Sequence, residues 1–208
     1  LIFPPILKST GCTTIVIRLS RKLQKLNTVY KEGAVVKGVL HNADVEFIEH
    51  GVRFKANVIS GHKTGYFLDH RHNRLKVSGL CKNKRLLDVF SYNGGFAIHA
   101  LAKGASAVTS IDISKQALAL AQDNAALNSF NGGFNTLCGD AFQLLDRLIE
   151  EQQRFDVVVI DPPSFAKQQD EVNLALKKYR ELGLNNSKAV LLDSNQNSNK
   201  LLIRPFNL

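Results

Sequence analysis

A regular alternation of short apolar runs and helical patterns from Arg85 onward constrains the fold of this chain more than any other feature. Strands are predicted at 85–90, 106–112, 134–138 and 155–160. Helices are predicted at 95–103, 115–128, 141–152 and 171–182. Because strands joined through helices pair in parallel with right-handed crossovers, this alternation predicts an open, doubly wound α/β sheet.

Two further patterns lie outside this alternation. The segments 45–49 and 52–59 alternate between apolar and polar residues around a His-Gly pair, which predicts a β-hairpin. A short strand is predicted at 14–17, and Ala189–Leu192 is a candidate for a further strand, although the sheet is expected to end after its fourth strand. These patterns predict four regions: a basic segment 1–32, a hairpin subdomain 33–78, the α/β domain 79–192 and an Asn/Ser-rich tail 193–208.

Basic residues are concentrated in the first 86 residues. This part holds 16 lysines and arginines against 5 acidic residues, whereas the remainder holds 11 against 13. A basic region joined to a nearly neutral domain is typical of proteins that bind polyanions such as RNA, with an ordinary solvated surface as the alternative.

Other composition features narrow the class of protein. No apolar run approaches the about 20 residues that cross a bilayer, so no membrane partner is expected. Three widely spaced cysteines, Cys12, Cys81 and Cys138, favour a reducing cytoplasm over a disulfide framework. The six histidines show no metal-binding spacing, and His70 and His72 are expected in a charged loop.

Four aspartates stand at or just beyond the C-terminal parts of the four predicted strands: Asp88, Asp112, Asp140 and Asp161. In a doubly wound sheet these strand ends share one edge, and ligands bind in the crevice outside it. The first turn, "DVFSYNGGF", lacks both the G-x-G-x-x-G spacing and the P-loop lysine that seat phosphates. This edge therefore favours a cationic, hydroxyl-bearing ligand without phosphates, and S-adenosyl-L-methionine fits that description. The alternative for each aspartate is a helix cap or a surface acid.

Each aspartate of the first three strands has an expected partner on this ligand. Asp112 is expected to accept hydrogen bonds from the ribose hydroxyls, Asp140 from the adenine amine, and Asp88 is expected to face the cationic methionine end. The other residues predicted to bind the cofactor at this edge are Phe90, Tyr92, Gly94, Gly95, Phe96, Ile113 and Ala141.

Five segments resemble the class I methyltransferases that modify ribosomal RNA: "GHKTGYFLDHRHNR" (61–74), "LLDVFSYNGGFAIHAL" (86–101), "SIDISKQALALAQDNAALN" (110–128), "CGDAF" (138–142) and "DVVVIDPPSFAK" (156–167). The likeness covers about residues 45–190 and is strongest to the bacterial large-subunit cytosine-C5 methyltransferases. It implies a Rossmann-like methyltransferase sheet preceded by a small β-hairpin subdomain, with ribosomal RNA as the partner. It also implies that the K-T-G-x-x-x-D-x-R motif closes over the cofactor through Lys63, Thr64, Gly65, Tyr66, Asp69 and Arg71.

The resemblance also assigns a role to the loop after the fourth strand. In class I methyltransferases this loop receives the target base, so Asp161 is expected to hydrogen-bond the edge of the base. Pro162 is expected to hold the loop rigid, which keeps the entropy of orientation out of the barrier. Phe165 is expected either to stack on a flipped base or to belong to the core.

The sequence departs from the family at the nucleophile. Methylation of cytosine C5 needs a cysteine thiolate that adds to C6, and the family carries it in an S-C-S type motif that this chain lacks. The chain also begins at Leu1 and contains no methionine, so we expect a fragment, without methylation of cytosine C5. The alternatives are an RNA guanine methyltransferase, an inactive remnant that binds cofactor or RNA, and a nicotinamide-dependent oxidoreductase.

Overall fold

The computed structural model describes residues 3–26, 28–61, 64–163, 177, 189–192 and 201–203. The chain contains two compact units. The first comprises Leu1–Ile48 and Phe54–Asp69, and the second comprises Glu49–Arg53 and His70–Leu208. The boundaries of the four regions proposed from the sequence stay predictions.

The first unit consists of short elements. Their order is α1 (Phe3–Thr10), β1 (Ile15–Val16), α2 (Arg21–Gln24) and β2 (Val35–Lys37), with β1 antiparallel to β2. The strand predicted at 14–17 is therefore confirmed. Helix α1 was not predicted, because its two prolines weaken a helical pattern; both lie in its first turn, where proline is tolerated.

The predicted β-hairpin is confirmed. Strands β3 (Asp44–Glu49) and β4 (Val52–Asn57) form a two-stranded sheet. Between them, His50 and Gly51 have φ angles of 50° and 81°, the left-handed pair that a tight hairpin turn requires. Within the second unit, the Asn128 side chain bonds both the N–H and the C=O of Arg53 at 2.9 Å, which fixes the tip of the hairpin.

A helix replaces the charged loop expected around His70 and His72. A 3₁₀ turn (Leu68–His70) leads directly into α3 (Arg71–Ser78). The buried residues of α3 are Arg74, Val77 and Ser78, at the spacing of one helix face. The prediction was wrong because an arginine occupies a position where a periodicity argument expects an apolar side chain.

The second unit is built on a six-stranded sheet, and its doubly wound α/β class is confirmed. The strands are β5 (Arg85–Val89), β6 (Ala107–Asp112), β7 (Gly133–Cys138), β8 (Val157–Ile160), β9 (Ala189–Leu192) and β10 (Leu201–Ile203). Helices α4 (Gly95–Ala102), α5 (Lys115–Ala126) and α6 (Ala141–Glu150) follow β5, β6 and β7. The order across the sheet is β10-β9-β8-β5-β6-β7, with β10 antiparallel to β9 and the other neighbours parallel.

The expectation that the sheet ends after its fourth strand is wrong. Strand β9 pairs with β8, with Val159 opposite Val190, and β10 forms inside the predicted Asn/Ser-rich tail. Both apolar runs are too short for periodicity to distinguish a strand from a loop. They form strands because each pairs with a neighbouring strand. Of the helix predicted over 171–182, only Lys177 is described, and it is helical; the remainder lies outside the described residues.

Side chains that alternate along the central strands supply two hydrophobic clusters. Leu86 and Val159 belong to the first, together with side chains from α3 and α4. Leu87 and Val158 belong to the second, together with side chains from α6. Because β5 and β8 are buried on both faces, they form a rigid support for the residues that follow their C-terminal ends. No helix within the described ranges is long and apolar enough to span a bilayer.

Candidate functional site

The candidate site lies where the chain reverses its direction of travel across the sheet. From β5 the chain continues to β6 and β7 on one side and then returns to β8 on the other side of β5. Asp88 lies on β5, and Asp161 directly follows β8, where its N–H donates to the carbonyl of Val89 at 3.4 Å. Ligands of doubly wound sheets bind at such a reversal point, in the crevice beyond the strand ends.

The turn between β5 and α4 is strained. Phe90, Tyr92 and Gly94 have φ angles of 63°, 50° and 77°, so three of five consecutive residues adopt the left-handed conformation. A non-glycine residue in this region costs on the order of 1–3 kcal/mol, and such residues cluster at functional sites. The strain marks this turn as the part of the sheet edge that is shaped for a ligand.

Hydrogen bonds from neighbouring elements hold the turn in place. The N–H of Tyr92 donates to Asp112 Oδ2 at 2.8 Å. On the α5 side, Asn124 is fully buried, and its Nδ2 donates to the carbonyl of Asn93 at 3.2 Å. Asn124 was not among the predicted residues, because a single asparagine in a helix carries no local signal of its burial.

Neighbouring side chains closely approach both glycines of the turn. A Cβ at Gly94 would lie 3.0 Å from the Ala121 side chain and 3.1 Å from that of Ile98. A Cβ at Gly95 would lie 3.1 Å from Cδ of Arg74. The missing side chains let the turn pack closely against both α5 and α3.

Asp88 supplies a buried acceptor at the reversal point. The residue is 1% exposed, and its Oδ2 accepts from the N–H of Ala97 at 3.2 Å, while Oδ1 makes no hydrogen bond within the described part of the chain. Burial raises the pKa of Asp88 to about 8; the Ala97 hydrogen bond opposes this, and the charges of Asp161 and Asp112 add to it. A buried oxygen without a partner fits a cationic ligand, since an unsatisfied polar group is costly.

Asp112 connects the end of β6 to the strained turn. Its Oδ1 accepts from the N–H of Ser114 at 2.9 Å, and its Oδ2 accepts from Tyr92. The carboxylate is only half-buried and has lone pairs beyond these two bonds, as a ligand hydroxyl would require. Beside it, Ile113 is 75% exposed and places an apolar side chain at the same edge.

Asp140 is the N-cap of α6. Its Oδ1 accepts from the N–H groups of Phe142 and Gln143 at 3.0 and 3.1 Å. The helix-cap alternative is therefore confirmed for this residue, and its bond to an adenine amine stays a prediction. The same holds for Ala141, which is buried in the second hydrophobic cluster.

The K-T-G segment belongs to the first unit. Thr64 Oγ1 donates to the carbonyl of Tyr66 at 3.0 Å, and Gly65 has a φ of 88° that a side chain would strain. The Tyr66 ring packs against Phe47 and Phe54, with ring centroids 4.8 and 5.2 Å apart. These contacts are structural. The cofactor contacts of Thr64, Gly65, Tyr66 and the exposed Asp69 stay predictions, and Lys63 lies outside the described residues.

Three of the remaining predicted residues belong to the second unit. Phe96 is 7% exposed and lies in the first hydrophobic cluster, whereas Arg71 lies exposed on α3 and Pro162 follows Asp161 half-buried. Phe165 lies outside the described residues. The structure thus gathers the predicted residues of β5, β6 and β8 at one edge, and their roles stay predictions.

A histidine that was not predicted to belong to the site lies beside Asp161. Nε2 of His70 is 3.5 Å from Oδ2 of Asp161, and the His70 ring centroid is 6.0 Å from that of Phe96. His70 therefore lies next to both the residue that follows β8 and the first turn of α4. The sequence does carry a signal, since His70 stands inside the segment 61–74, but only the tertiary structure brings it to Asp161.

Asp88 is expected to make stability depend on pH. Its pKa in the folded state is raised to about 8 from an ordinary value of 3.8, so between these values the folded protein keeps a proton that the unfolded chain loses. The contribution of Asp88 to the free energy of unfolding is therefore fully present below about pH 4 and should fall as pH rises towards 8. Urea denaturation at several pH values should show this fall for the wild type and a smaller one for Asp88→Asn. Asp146→Asn, on the exposed face of α6, is the matched control; an unchanged fall in Asp88→Asn would show that another group is responsible.

Comparisons with known proteins place this geometry in a family. The sequence matches the S-adenosylmethionine-dependent methyltransferase family over residues 32–191. It is 40% identical over 171 residues to a ribosomal RNA large subunit methyltransferase of Deinococcus radiodurans, which covers 81% of this chain and 42% of that protein. It is 36% identical over 163 residues to the ribosomal RNA large subunit methyltransferase I of Aeromonas salmonicida, which covers 78% and 41%.

A solved structure agrees with these relatives. The crystal structure of SMU.776, a methyltransferase complexed with SAH, superposes with a TM-score of 0.65 at 26% identity, over 78% of this chain and 46% of that one. The chain thus spans less than half the length of each of these three proteins. With its doubly wound sheet, strained glycine turn and carboxylates at the strand ends, this chain belongs to the S-adenosylmethionine-dependent methyltransferase family.

Proposed function

We propose that this chain binds S-adenosylmethionine and directs its methyl group to a base of RNA. We further propose that this RNA is the ribosomal RNA of the large subunit. The observation that carries the proposal is the strained turn at the reversal point. The buried Asp88 lies on β5 beside this turn, and Asp161 follows the neighbouring strand β8. The cofactor, when bound, supplies a methyl group on a sulfonium. The remaining chemistry is binding and orientation by the residues of the chain.

Each residue at the sheet edge binds a different part of the cofactor. Asp88 Oδ1 faces the amino group of the methionine part, because it is the buried acceptor that the fold leaves without a bond. The carboxylate of Asp112 accepts from the ribose hydroxyls, and the exposed Ile113 packs on the adenine ring. Asp140 keeps Oδ2 for the adenine amine, since both capping bonds go to Oδ1.

The base is held on the other side of the reversal point. Asp161 accepts from the edge of the base, and the two prolines after it restrict the backbone of the loop. His70, 3.5 Å from Asp161, helps to orient the carboxylate. With the methionine part at Asp88 and the base at Asp161, the base lies next to the methyl group, as methyl transfer requires.

RNA as the substrate is supported by the relatives and by charge. Both curated relatives are named for ribosomal RNA of the large subunit, and the first 86 residues carry 16 basic against 5 acidic residues. A basic surface of this kind follows the phosphate backbone without regard to sequence, so the choice of base falls to the Asp161 loop.

The position of the cysteines bears on which atom is methylated. Cys81 is fully buried, and burial raises the pKa of its thiol to about 11. Cys138 ends β7, three strands from β8 and hence about 14 Å across the sheet from the Asp161 loop. Cys12 lies in the first unit.

Within the second unit, neither Cys81 nor Cys138 is therefore placed to add to a base that Asp161 holds. This observation favours a second candidate function, transfer to a guanine nitrogen, which needs no covalent nucleophile. In that reaction the nitrogen attacks the methyl carbon, the bond from that carbon to sulfur breaks, and the proton of the nitrogen passes to Asp161.

The cofactor assignment predicts the effect of losing Asp112. Asp112→Ala should weaken the binding of S-adenosylhomocysteine by about 1–3 kcal/mol, because it leaves the ribose hydroxyls unpaired and releases the turn at Tyr92. Isothermal titration calorimetry measures the affinity, with Asp123→Ala on the exposed face of α5 as the matched control. Wild-type affinity in Asp112→Ala would remove this carboxylate from the site, and binding of NAD instead would refute the cofactor.

The RNA assignment predicts a dependence on salt. The logarithm of the binding constant for single-stranded ribosomal RNA should fall linearly with the logarithm of salt concentration, by about 0.7 for each phosphate contact. Lys31→Ala combined with Lys37→Ala, both exposed in the first unit, should reduce that slope, whereas Lys103→Ala at the end of α4 should not. A flat salt dependence of the wild type would mean that the basic residues are ordinary surface.

The cysteine positions predict a negative result. With labelled S-adenosylmethionine and unmodified large-subunit ribosomal RNA, this chain should form no 5-methylcytidine detectable by nucleoside analysis. Methylated guanosine would support the second candidate function. A 5-methylcytidine product that Cys138→Ala abolishes would show that the cysteine reaches the base and that the geometric argument fails.

A further inference from the structure

A buried ionic cluster lies outside the predicted site. Glu49 at the end of β3, Arg74 on α3 and His99 on α4 are 4%, 2% and 2% exposed. Arg74 donates to both carboxylate oxygens of Glu49, from Nε at 2.7 Å and from a terminal nitrogen at 2.9 Å. His99 Nε2 lies 2.9 Å from Glu49 Oε1. One carboxylate thus joins two other side chains of the second unit, from α3 and α4.

The protonation states within the cluster follow from these contacts. Burial by itself would raise the pKa of Glu49, but the hydrogen bonds from His99 and Arg74 hold it at about 2, so Glu49 is ionised. Burial lowers the pKa of His99 more than Glu49 raises it, so its ring is neutral. An ionised carboxylate only accepts, and therefore His99 Nε2 carries the hydrogen and donates it. The cluster is a balanced Arg–Glu pair with a neutral histidine donor.

The cluster lies directly behind the strained turn. A Cβ on Gly95, the first residue of α4, would lie 3.1 Å from Cδ of Arg74 and 3.7 Å from its Nε. Arg74 is also close enough to Asp88 for its charge to lower the pKa of that carboxylate, against the larger effect of burial. His99 is one helical turn beyond Gly95, on the same face of α4. Glu49 is therefore hydrogen-bonded to both Arg74, which packs against the start of α4, and His99, which lies one turn further along that helix.

Stability alone does not account for such a cluster. The attraction within a buried ion pair is largely cancelled by the loss of hydration, and apolar side chains of similar volume often stabilise a core equally well. The ion pair contributes a fixed side-chain orientation instead. Its two parallel hydrogen bonds fix the Arg74 guanidinium in one orientation against Gly95.

We propose that Glu49, Arg74 and His99 are positioning residues for the methyl donor. They hold the first turn of α4 so that the Gly94-Gly95 turn and the Ala97 N–H that bonds Asp88 keep the geometry that the cofactor needs. In this role the three residues act through the backbone of the turn and of α4 and not by contact with the methyl donor. The inference rests on the proposed binding of S-adenosylmethionine.

The test replaces the cluster without leaving a buried charge. The triple variant Glu49→Leu, Arg74→Met, His99→Phe removes all three polar groups together, so urea denaturation should show a free energy of unfolding close to that of the wild type. Calorimetry with S-adenosylhomocysteine should nevertheless show affinity reduced by about tenfold, the effect of one misdirected hydrogen bond. The exposed pair Arg147 and Glu151, 3.4 Å apart on α6, provides the matched control: Arg147→Met with Glu151→Leu should bind as the wild type does.

A second variant covers the case in which the triple variant does not fold. Arg74→Lys keeps the charge but loses the bidentate fork, so it should fold and bind S-adenosylhomocysteine less tightly than the wild type. Wild-type affinity in a folded triple variant, or in Arg74→Lys, would overturn the proposal and leave the cluster as part of the core.

Hydrogen exchange separates this inference from the proposed function. In the triple variant, amides over residues 94–98 should exchange faster than in the wild type, while those of Ala107–Asp112 on β6 stay protected. If the wild type fails to bind S-adenosylhomocysteine and this difference still appears, the cofactor assignment fails, and what stands is that the cluster orders the first turn of α4. Unchanged exchange over 94–98 would refute the positioning role.

Discussion

The parallel pairing of β5 with β8 is the constraint on which the rest of the site depends. It sets Asp88 opposite Val159 and Val89 opposite Ile160, so Asp161 leaves the sheet beside the end of β5. The chain must then leave β5 abruptly to start α4 without blocking the crevice between the two strands. The left-handed residues Phe90 and Tyr92 follow from that requirement. Their strain is offset by the burial of both central strands and by hydrogen bonds from neighbouring elements.

The electrostatics of the edge follow from the same pairing. Burial raises the pKa of Asp88 to about 8, and the nearby charges of Asp161 and Asp112 add to this effect. A polyphosphate would be repelled here, whereas a ligand with an ammonium and a sulfonium would favour the ionised form. Arg74 forms an ion pair with Glu49, and its charge lowers the pKa of Asp88 against the larger effect of burial.

Sequence patterns predicted the sheet well where the strands are long and apolar. Strands β5 to β8 begin and end within two residues of the predictions, because runs such as Val157–Ile160 have few alternatives to a doubly covered strand. Helix α3 was missed because Arg74 occupies a core position, which a pattern of apolar residues does not reveal. Strand β10 was missed because an apolar run of three residues has no periodicity of its own.

The sequence by itself determined the fold class and the chemical character of the sheet edge. Both follow from local patterns, namely the alternation of strands and helices and the placement of an aspartate at or just beyond the C-terminal part of each of the four predicted strands. The tertiary structure decided which residues support that edge. The partners of Glu49 lie 25 and 50 residues further along the chain, and His70 meets Asp161 only once the helix and the strand have packed. Local patterns predict strands and helices, but they do not specify hydrogen bonds between distant buried groups, because those depend on how the elements pack.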